Sequence, residues 1–349
     1  MKKETLKSLS LSTGYSISTI SRVLAGKGKE FRISPTTIHT ILQKAEECNY
    51  SPNLLAKGLR IERSFSIGLI IPNLSNSYFS NIASIILKEA QLFNYHTIII
   101  DTQDNEANER SAINRLTGHH VDGLIVVPTG QDPEFLEEIS KKIPLILVDR
   151  YFPTSFLPFI STDNYQGAFD ATELLISQGH TNILCIQGER ASSPNQDRIR
   201  GYKDALKKSG LGDRHSICGN SFSIQNGYHE TQQALLSDIR PSAIFTLSNT
   251  ILLGSIKAIK EAGLVIPDDI SIISFDNEIY LDFFAPAITR INQPTDKIGS
   301  LAVRNLMQKI DHKETSNPKI LLPATIHLGG SVRPFSDRIA TYPAAEPFV

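Results

Sequence analysis

The chain has 349 residues, of which 40% are hydrophobic and 20% are charged, so it is long enough for two or three domains with buried cores. Residues 1–63 contain 11 Lys+Arg and 5 Asp+Glu and are therefore basic, whereas the rest of the chain contains 24 and 31 and is acidic. This asymmetry points to a polyanionic partner for the N-terminal part alone. No apolar run approaches the ~18–20 residues that cross a bilayer, and none follows the basic start as in a signal peptide, so we expect a cytoplasmic protein with no membrane partner.

Residues 5–50 predict three short helices. Thr5, Ser16 and Ser34 are each placed to cap a helix start, and Pro35 follows the third cap at the first helical position, where proline is favoured. Apolar residues recur at helical spacing in all three helices. We expect one small core formed by Leu6, Leu9, Ile20, Val23, Leu24, Ile38, Ile41, Leu42 and Ala45.

The first two of these helices, separated by Gly14, form a helix-turn-helix candidate. The second would turn Ile17, Ser18 and Arg22 outward. Major-groove reading needs such a face, with small hydroxyl side chains near phosphate or base and an arginine that can bind guanine through two N–H groups. The plain alternative is a helical hairpin with no DNA role, and the basic charge of residues 1–63 favours DNA binding over it.

Residues 51–60 predict a further short helix that joins this head to the rest of the chain. It contains two basic residues, Lys57 and Arg60, and two leucines, Leu55 and Leu59, that nothing obvious would bury. Exposed leucines are unfavourable in a plain linker. They are explained if the segment folds in the minor groove of DNA and wedges a leucine between base steps.

From Phe65 onward, short apolar runs alternate with helical stretches, as in parallel sheets with helical crossovers. The expected strands are 67–71, 97–100, 123–127, 145–148, 183–186, 243–247 and 270–275, and the expected helices are 77–93, 106–117, 132–141, 164–178, 196–209, 225–238, 249–261 and 295–310. These strands are too many for one comfortable sheet, and 153–163 looks like a crossing between two lobes. Two facing lobes bind a ligand in the cleft beyond the carboxyl ends of their strands.

Several segments, in this order, make the chain similar to the LacI/GalR family of transcription regulators: Thr5-Leu6, Ser18-Thr19-Ile20-Ser21-Arg22-Val23-Leu24, Tyr50-Ser51-Pro52-Asn53, Leu59-Arg60, Ile67-Gly68-Leu69-Ile70-Ile71-Pro72, Leu321-Leu322-Pro323 and Gly330-Ser331. The resemblance implies a small all-α helix-turn-helix head plus an α/β body with two doubly wound lobes of the periplasmic-binding-protein-like type. The implied boundaries are a DNA-binding domain at 1–50, a hinge helix at 51–60, a two-lobed effector-binding and dimerisation domain at 61–340, and a tail at 341–349. Lobe 1 would take about 61–162 and 293–322, and lobe 2 about 163–291 and 324–340.

The resemblance further implies a repressor that binds a near-palindromic operator in double-stranded DNA as a homodimer, with its affinity set by a small-molecule effector. The implied DNA-binding residues are Thr5, Leu6, Ser16, Ile17, Ser18, Thr19, Ser21, Arg22, Asn53, Ala56 and Leu59. The chain departs from the family in the link at 26–34, which is about three residues longer than usual. Its basic residues, Lys27, Lys29 and Arg32, either add phosphate contacts or form a solvated loop.

The family's effector cleft corresponds to nine positions in this sequence: Asn76, Tyr78, Phe79, Arg150, Asp163, Arg198, Phe222, Asn249 and Asp276. Aromatic faces suit the apolar face of a sugar ring, and arginine and aspartate bind hydroxyl groups, so a sugar or nucleoside-like effector is expected. The alternatives are lobe packing for Tyr78 and Phe79 and hinge ion pairs for Arg150 and Asp163. Thr250 and Ser274 depart from the family pattern beside this cleft and leave the ligand identity open.

Enzyme motifs are absent from the sequence: there is no phosphate-binding loop, HExxH, GxSxG or dinucleotide fingerprint, so we expect no enzymatic activity. The three cysteines lack CxxC spacing and the histidines lack ligand spacing, so no disulfide framework, metal or cofactor is expected. The tail has no leucine heptad, which favours a dimer over a coiled-coil tetramer. Two other classes remain: a solute-binding protein, disfavoured by the basic head, and an α/β enzyme acting on a sugar, disfavoured by the missing motifs.

Overall fold

A computed structural model describes residues 5–48, 50, 63–312 and 316–335. The chain divides into two compact units, residues 1–64 and 65–349. The predicted hinge helix at 51–60, with Asn53, Ala56 and Leu59, lies outside the described residues.

Three short helices build the N-terminal unit: α1 (Leu6–Thr13), α2 (Ile17–Leu24) and α3 (Pro35–Glu47). Each begins at its predicted cap, because the hydroxyl groups of Thr5, Ser16 and Ser34 accept a hydrogen bond from the backbone N–H three residues on. Gly14 ends α1 with a φ of 75°, a left-handed conformation that glycine adopts without a steric penalty.

The core of this unit is small and draws on all three helices. Its buried members are Leu9, Ile20, Val23, Ile41 and Ala45. The prediction that Leu42 shares this core is wrong, because its side chain is 47% exposed. The third helix has only two short helices to pack against, so the stripe that it buries is narrower than its apolar pattern predicts.

Two six-stranded sheets form the larger unit, one in each lobe. In chain order the strands are β1 (Ser66–Ile71), β2 (His96–Asp101), β3 (Gly123–Val126), β4 (Leu145–Val148), β5 (Phe159–Thr162), β6 (Ile183–Ile186), β7 (Ser216–Cys218), β8 (Ala243–Thr246), β9 (Ser271–Phe275), β10 (Thr289–Asn292), β11 (Lys319–Leu322) and β12 (Thr325–His327). Lobe 1 has the order β11-β5-β4-β3-β1-β2 with every pairing parallel. Lobe 2 has the order β12-β10-β9-β8-β6-β7, and only its edge strand β12 is antiparallel.

Helices connect the parallel strands and cover the sheets. They are α4 (Ser77–Leu92), α5 (Glu106–Gly118), α6 (Glu134–Ser140), α7 (Asn164–Ser177), α8 (Ser193–Lys208), α9 (Ile224–Leu236), α10 (Asn249–Glu261) and α11 (Thr295–Ile310). Most inner strands are buried along their whole length, as expected where both faces of a sheet are covered. Within the described ranges, no helix has the length and apolar character needed to span a bilayer.

The chain passes between the lobes three times. It leaves lobe 1 after β5 and enters α7 of lobe 2, returns after β10 into α11, and crosses again between β11 and β12. Side chains of α11 complete the core of lobe 1, although this helix follows all but one strand of lobe 2 in the chain: Ile298, Ala302, Val303, Leu306, Met307 and Ile310. Neither lobe is therefore built from one continuous segment.

The expected strands and helices of the larger unit are present with small shifts at their ends, but five strands were not predicted. Residues 153–163 contain β5 as well as a crossing point. The other four are β7, β10, β11 and β12, all within two positions of a sheet edge. One expected helix start at 196 is also wrong, because Ser192 caps α8 at Ser193, with Pro194 in its first turn.

Candidate DNA-reading helix and ligand cleft

The exposed face of α2 carries three of the side chains predicted to read DNA. Ile17, Ser18 and Arg22 are all exposed, whereas Ile20 and Val23 on the opposite side are buried. Because the buried side is occupied by the core, the outward face is free to enter a groove of DNA.

The other predicted DNA contacts in this unit differ in their surroundings. The Ser16 hydroxyl lies 2.8 Å from the Ser18 hydroxyl and 2.9 Å from that of Thr19, so the start of α2 presents a cluster of hydroxyl groups. Thr19 and Ser21 are half-buried, and Thr5 is an exposed cap of α1. Leu6 packs against the core of the unit.

A cleft of about 540 Å³, open to solvent, lies between the two lobes. Lobe 1 contributes Asn73, Asn76, Tyr78, Phe79, Asp104, Asp149 and Arg150, lobe 2 contributes Ser192, Pro194, Arg198, Phe222, Ser248 and Asp276, and the crossing after β10 contributes Gln293. Almost all of these follow the end of a strand or open the next helix. The cleft is therefore at the carboxyl edge of both sheets, where parallel α/β sheets bind ligands.

Two buried aspartates occupy corresponding positions in the two lobes. Asp149 directly follows β4 with a φ of 66°, and Asp276 directly follows β9 with a φ of 77°. Aspartate is one of the few residues other than glycine that adopts this left-handed conformation. Unfavourable backbone of this kind is concentrated at functional sites, and here it turns both carboxylates into the cleft.

The Asp149 carboxylate is held by Tyr78 from the start of α4. The Tyr78 hydroxyl donates a hydrogen bond of 2.7 Å to Oδ1 of Asp149. Burial raises the pKa of Asp149 above its ordinary value, although the Arg198 guanidinium and the Tyr78 hydroxyl both oppose this rise. Burial also raises the pKa of Tyr78 well above its usual range, so this side chain keeps its proton and remains a donor.

The Asp276 carboxylate is tied to a crossing between the lobes. Its Oδ1 accepts a hydrogen bond of 2.6 Å from the Gln293 amide, and its Oδ2 accepts one of 3.0 Å from the backbone N–H of Asn249. Gln293 in turn accepts a bond of 2.7 Å from the Thr162 hydroxyl at the end of β5. A ligand that binds Asp276 therefore contacts a network that includes two of the three crossings.

Both arginines of the cleft are buried and already oriented. Arg198 donates from Nε to Asn164 at 2.8 Å and from Nη1 to the carbonyl of Leu247 at 2.6 Å, and its guanidinium lies 3.9 Å from the ring centre of Phe275. Within the described ranges no acceptor binds its Nη2, which leaves that edge for a ligand. Arg150 is paired with Asp104 at 2.8 Å, within lobe 1.

Direct hydrogen bonds join the lobes on both sides of the cleft. The Asn249 amide donates to the Ser77 hydroxyl at 2.9 Å. Elsewhere, Tyr151 of lobe 1 donates from its backbone N–H to Ser193 at 2.9 Å and from its hydroxyl to Asp197 at 2.6 Å. These bonds hold the lobes in one relative arrangement that a bound ligand could favour or oppose.

Comparison with known proteins shows the family. Residues 64–329 match the family model described as periplasmic binding proteins and sugar binding domain of the LacI family. Catabolite control protein A of Priestia megaterium is 32% identical over 333 residues, which cover 94% of this chain and 99% of that protein. The chain is a LacI-family transcriptional regulator. The family consists of DNA-binding regulators with an effector-binding domain and not of enzymes.

Solved structures share the fold of this LacI-family regulator. The lac repressor dimer bound to operator and the anti-inducer ONPF matches with a TM-score of 0.86 at 23% identity, covering 95% of this chain and all of that one. A LacI-family regulator from Enterococcus faecium with bound ribose matches with a TM-score of 0.70 at 28% identity, covering 78% of this chain and all of that one. The first match covers the N-terminal helices as well as the two lobes.

Seven of the nine predicted effector residues line the cleft of this regulator: Asn76, Tyr78, Phe79, Arg150, Arg198, Phe222 and Asp276. Tyr78 and Phe79 also belong to the core of lobe 1, so their packing and cleft roles coexist. Asp163 does not line the cleft, because its carboxylate caps α7 by accepting from the backbone N–H of Gln166 at 2.9 Å. Asn249 lies beside the cleft, bridging to Ser77.

Sequence reasoning missed six lining residues: Asn73, Asp104, Ser192, Pro194, Ser248 and Gln293. All of them follow a strand or open the helix after it, so the rule that ligands bind at the carboxyl ends of strands could have found them. Among the described residues, no group of three or more His, Cys, Asp or Glu side chains is placed to hold a metal ion.

Proposed function

We propose that this chain is a cytoplasmic, dimeric repressor that binds a near-palindromic operator through α2 of each copy and is controlled by an uncharged sugar or nucleoside-like effector in the cleft. The observation that carries the effector assignment is the lining of the cleft. Oriented arginine and aspartate groups meet aromatic rings there, which is the combination that recognises hydroxyl groups on a ring with an apolar face.

The charges of the cleft favour an uncharged effector. The lining contains three carboxylates, those of Asp104, Asp149 and Asp276, and two guanidinium groups, those of Arg150 and Arg198, with no lysine or histidine. Arg150 is already paired with Asp104. A phosphorylated ligand would therefore meet a lining with more carboxylates than guanidinium groups, in which only Arg198 is unpaired, whereas hydroxyl groups can both donate to the carboxylates and accept from the arginines.

Aromatic side chains supply the apolar part of the proposed site. Tyr78 and Phe79 pack against each other with ring centres 5.2 Å apart on the lobe 1 side. Phe222 comes from lobe 2, and its ring lies so close to Gly188 that a Cβ at that glycine would be 2.2 Å from it. The bound ribose in the Enterococcus faecium relative supports a pentose as the first sugar to test.

Control of DNA binding would follow from a population shift. An effector that binds one arrangement of the lobes better than another changes the fraction of molecules in that arrangement by its differential affinity. We expect such a shift to change the hydrogen bonds that join the lobes, those of Asn249 and Tyr151, and the bond between Gln293 and Asp276. Whether the effector releases the regulator from its operator or promotes binding then depends on which arrangement of the lobes binds DNA.

An exposed apolar patch on lobe 2 supports the homodimer. Ile279 and Phe283 lie on one 3₁₀ turn and are 76% and 82% exposed, and Leu328 is 70% exposed. Asp282 of the turn lies 3.5 Å from His327, the neighbour of Leu328, so the three apolar side chains share one region. Solvent-exposed patches of this kind mark protein interfaces. Phe283→Asp should convert the dimer to a monomer in analytical ultracentrifugation, and an unchanged dimer would place the interface elsewhere.

The DNA assignment is tested by incubating the purified protein with fragmented DNA from its own genome and sequencing the retained fragments. We expect recovery of a short near-palindrome, whose half-sites reflect the symmetry of the dimer. Retention without a shared sequence would contradict operator recognition. No retention at all would contradict operator binding by this chain in the absence of an effector.

The effector assignment is tested with the recovered operator. Neutral pentoses, hexoses and nucleosides, together with the corresponding phosphates, are added to the complex, and operator affinity is measured by fluorescence anisotropy. We expect one neutral compound to change the affinity and its phosphate to be at least about tenfold weaker, a difference of about 1.4 kcal/mol. A stronger response to the phosphate would refute the charge argument.

A further inference from the structure

The link between α2 and α3 is an ordered structure and not a free loop. After α2 ends, the backbone N–H of Lys27 donates to the carbonyl of Arg22 at 2.9 Å, and that of Phe31 donates to the carbonyl of Lys27 at 3.2 Å. The N–H of Ile33 then donates to the carbonyl of Gly28 at 2.9 Å. These bonds fix the path of residues 27–33.

A glycine anchors this link against α3. A Cβ at Gly28 would lie 2.7 Å from Cδ1 of Ile38, so a larger residue at this position would force the Ile38 side chain to move. Ile33, at the far end of the link, packs against the core of the unit. The backbone at Phe31 is therefore fixed by the packing of Gly28 before it and of Ile33 after it.

The side chain of Phe31 is not part of the core. It is 43% exposed and absent from the apolar cluster of the N-terminal unit. Its ring instead lies under the guanidinium of Arg22, whose central carbon is 4.0 Å from the ring centre. A cation over an aromatic face at this distance is attracted by the ring quadrupole.

The contact leaves the hydrogen-bonding groups of Arg22 available. It uses the charge and the flat face of the guanidinium, whereas bidentate binding to guanine O6 and N7 uses the N–H groups at its edge. Within the part of the N-terminal unit that the structure describes, no carboxylate is bonded to Arg22 that would compete for these N–H groups. An exposed arginine otherwise loses much rotamer freedom when it binds, so a fixed ring beneath it lowers that entropic cost.

We infer that Phe31 is a positioning residue for Arg22, and that the link between α2 and α3 thereby tunes which base pair the regulator selects. This inference rests on the proposed role of α2 in operator recognition. Its direct consequence is that the ring of Phe31 affects discrimination at one base pair of each half-site, without contacting a base and without changing non-specific affinity for DNA.

The test uses the full-length protein and the operator recovered from genomic DNA. Every base pair of one half-site is substituted in turn, and the affinity ratio of operator to substituted site is measured for wild type, Phe31→Leu and Phe31→Tyr. Leucine retains an apolar side chain but has no ring face, whereas tyrosine retains the ring. Non-specific affinity and its salt dependence are measured on an unrelated duplex, and they report that the head is folded.

We expect Phe31→Leu to lower discrimination about two- to fivefold at a single base pair, while Phe31→Tyr stays at the wild-type value. In an Arg22→Lys background, Phe31→Leu should have no further effect at that base pair, because lysine lacks the planar fork. An equal loss of affinity on all sequences, or no loss, would overturn the role of Phe31. If Arg22→Lys alone leaves every base preference unchanged, the proposed recognition of a base by Arg22 is wrong. This outcome differs from those that would overturn only the role of Phe31.

Discussion

Replacing Tyr78 with phenylalanine isolates one hydrogen bond of the cleft. The ring and its packing in the core of lobe 1 are kept, and only the hydroxyl that donates to Asp149 at 2.7 Å is removed. Asp149 is buried, so its carboxylate loses a donor that water replaces poorly. Such a loss costs about 2–3 kcal/mol, and at about 1–2 °C per kcal/mol for a chain of this length it lowers the melting temperature by about 2–6 °C.

The size of this effect should depend on pH in a defined direction. Burial raises the folded-state pKa of Asp149 above its ordinary 3.8, because the neutral carboxyl tolerates burial better than the carboxylate. The stability that the neutral carboxyl provides is therefore fully present below pH 3.8, and it is lost as the pH rises through the folded-state pKa. The Tyr78 hydroxyl opposes the rise, and removing it raises the pKa of Asp149 further. The destabilisation of Tyr78→Phe is therefore largest at neutral pH and shrinks toward acid pH, where the carboxyl is neutral in both proteins.

Thermal and urea denaturation of the protein without effector, at about pH 7.5 and about pH 4.5, measures both the size and the pH dependence. The matched control is Tyr228→Phe, because Tyr228 donates to Glu261 over the same 2.7 Å but at the protein surface. The control is expected to lose at most about 0.5–1 kcal/mol at either pH. Equal losses for the two variants, or a Tyr78→Phe loss that grows toward acid pH, would refute the reasoning.

Three further predictions concern the cleft, the hinge segment and the packing of lobe 2. Asp276→Ala is expected to abolish the response of operator affinity to effector; a normal dose response in an operator titration would show that the cleft is misassigned. Leu59 lies outside the described residues, and Leu59→Ala is expected to weaken operator binding by at least about 1–2 kcal/mol through loss of a minor-groove wedge; unchanged affinity would exclude that wedge. Gly227→Ala is expected to lower the free energy of unfolding by about 1–3 kcal/mol in urea, because its Cβ would lie 2.0 Å from the carbonyl of Ile251; a smaller loss would mean that α9 and α10 separate easily.

Two of the strands that sequence reasoning missed, β5 and β10, contain polar side chains that interrupt an apolar run. In β5, Ser161 and Thr162 are buried, but their hydroxyls donate to the carbonyl of Asp149 and to Gln293. In β10, the buried Arg290 is bonded to Asn277 and paired with Asp282 at 2.9 Å. Polar residues within a short segment predict a loop, because burying them in a strand is favourable only when they have hydrogen-bonding partners. The sequence does not reveal these partners, since they are distant along the chain.

The cleft was predictable as far as strand ends could be located. Asp276 and Arg198 were predicted from the family resemblance, which rests on short segments of sequence beside them. Gln293 was missed because the strand before it, β10, was not predicted. Asp163 was assigned to the cleft although its carboxylate serves as a helix cap, a role for which aspartate is equally suited. The cation–π contact of Arg22 depends on the fold of a link with no regular pattern, which sequence periodicity does not reveal.

The interleaving of the two lobes has a consequence for synthesis on the ribosome. Lobe 1 is the first lobe to be synthesised, but its core is incomplete without α11 and its sheet is incomplete without β11. Both elements are synthesised after nearly all of lobe 2. Until then the nascent chain exposes β5 as an unpaired edge beside an incomplete apolar surface, a state that favours aggregation. A chain that terminates early, before Lys319, should therefore be insoluble and rapidly degraded.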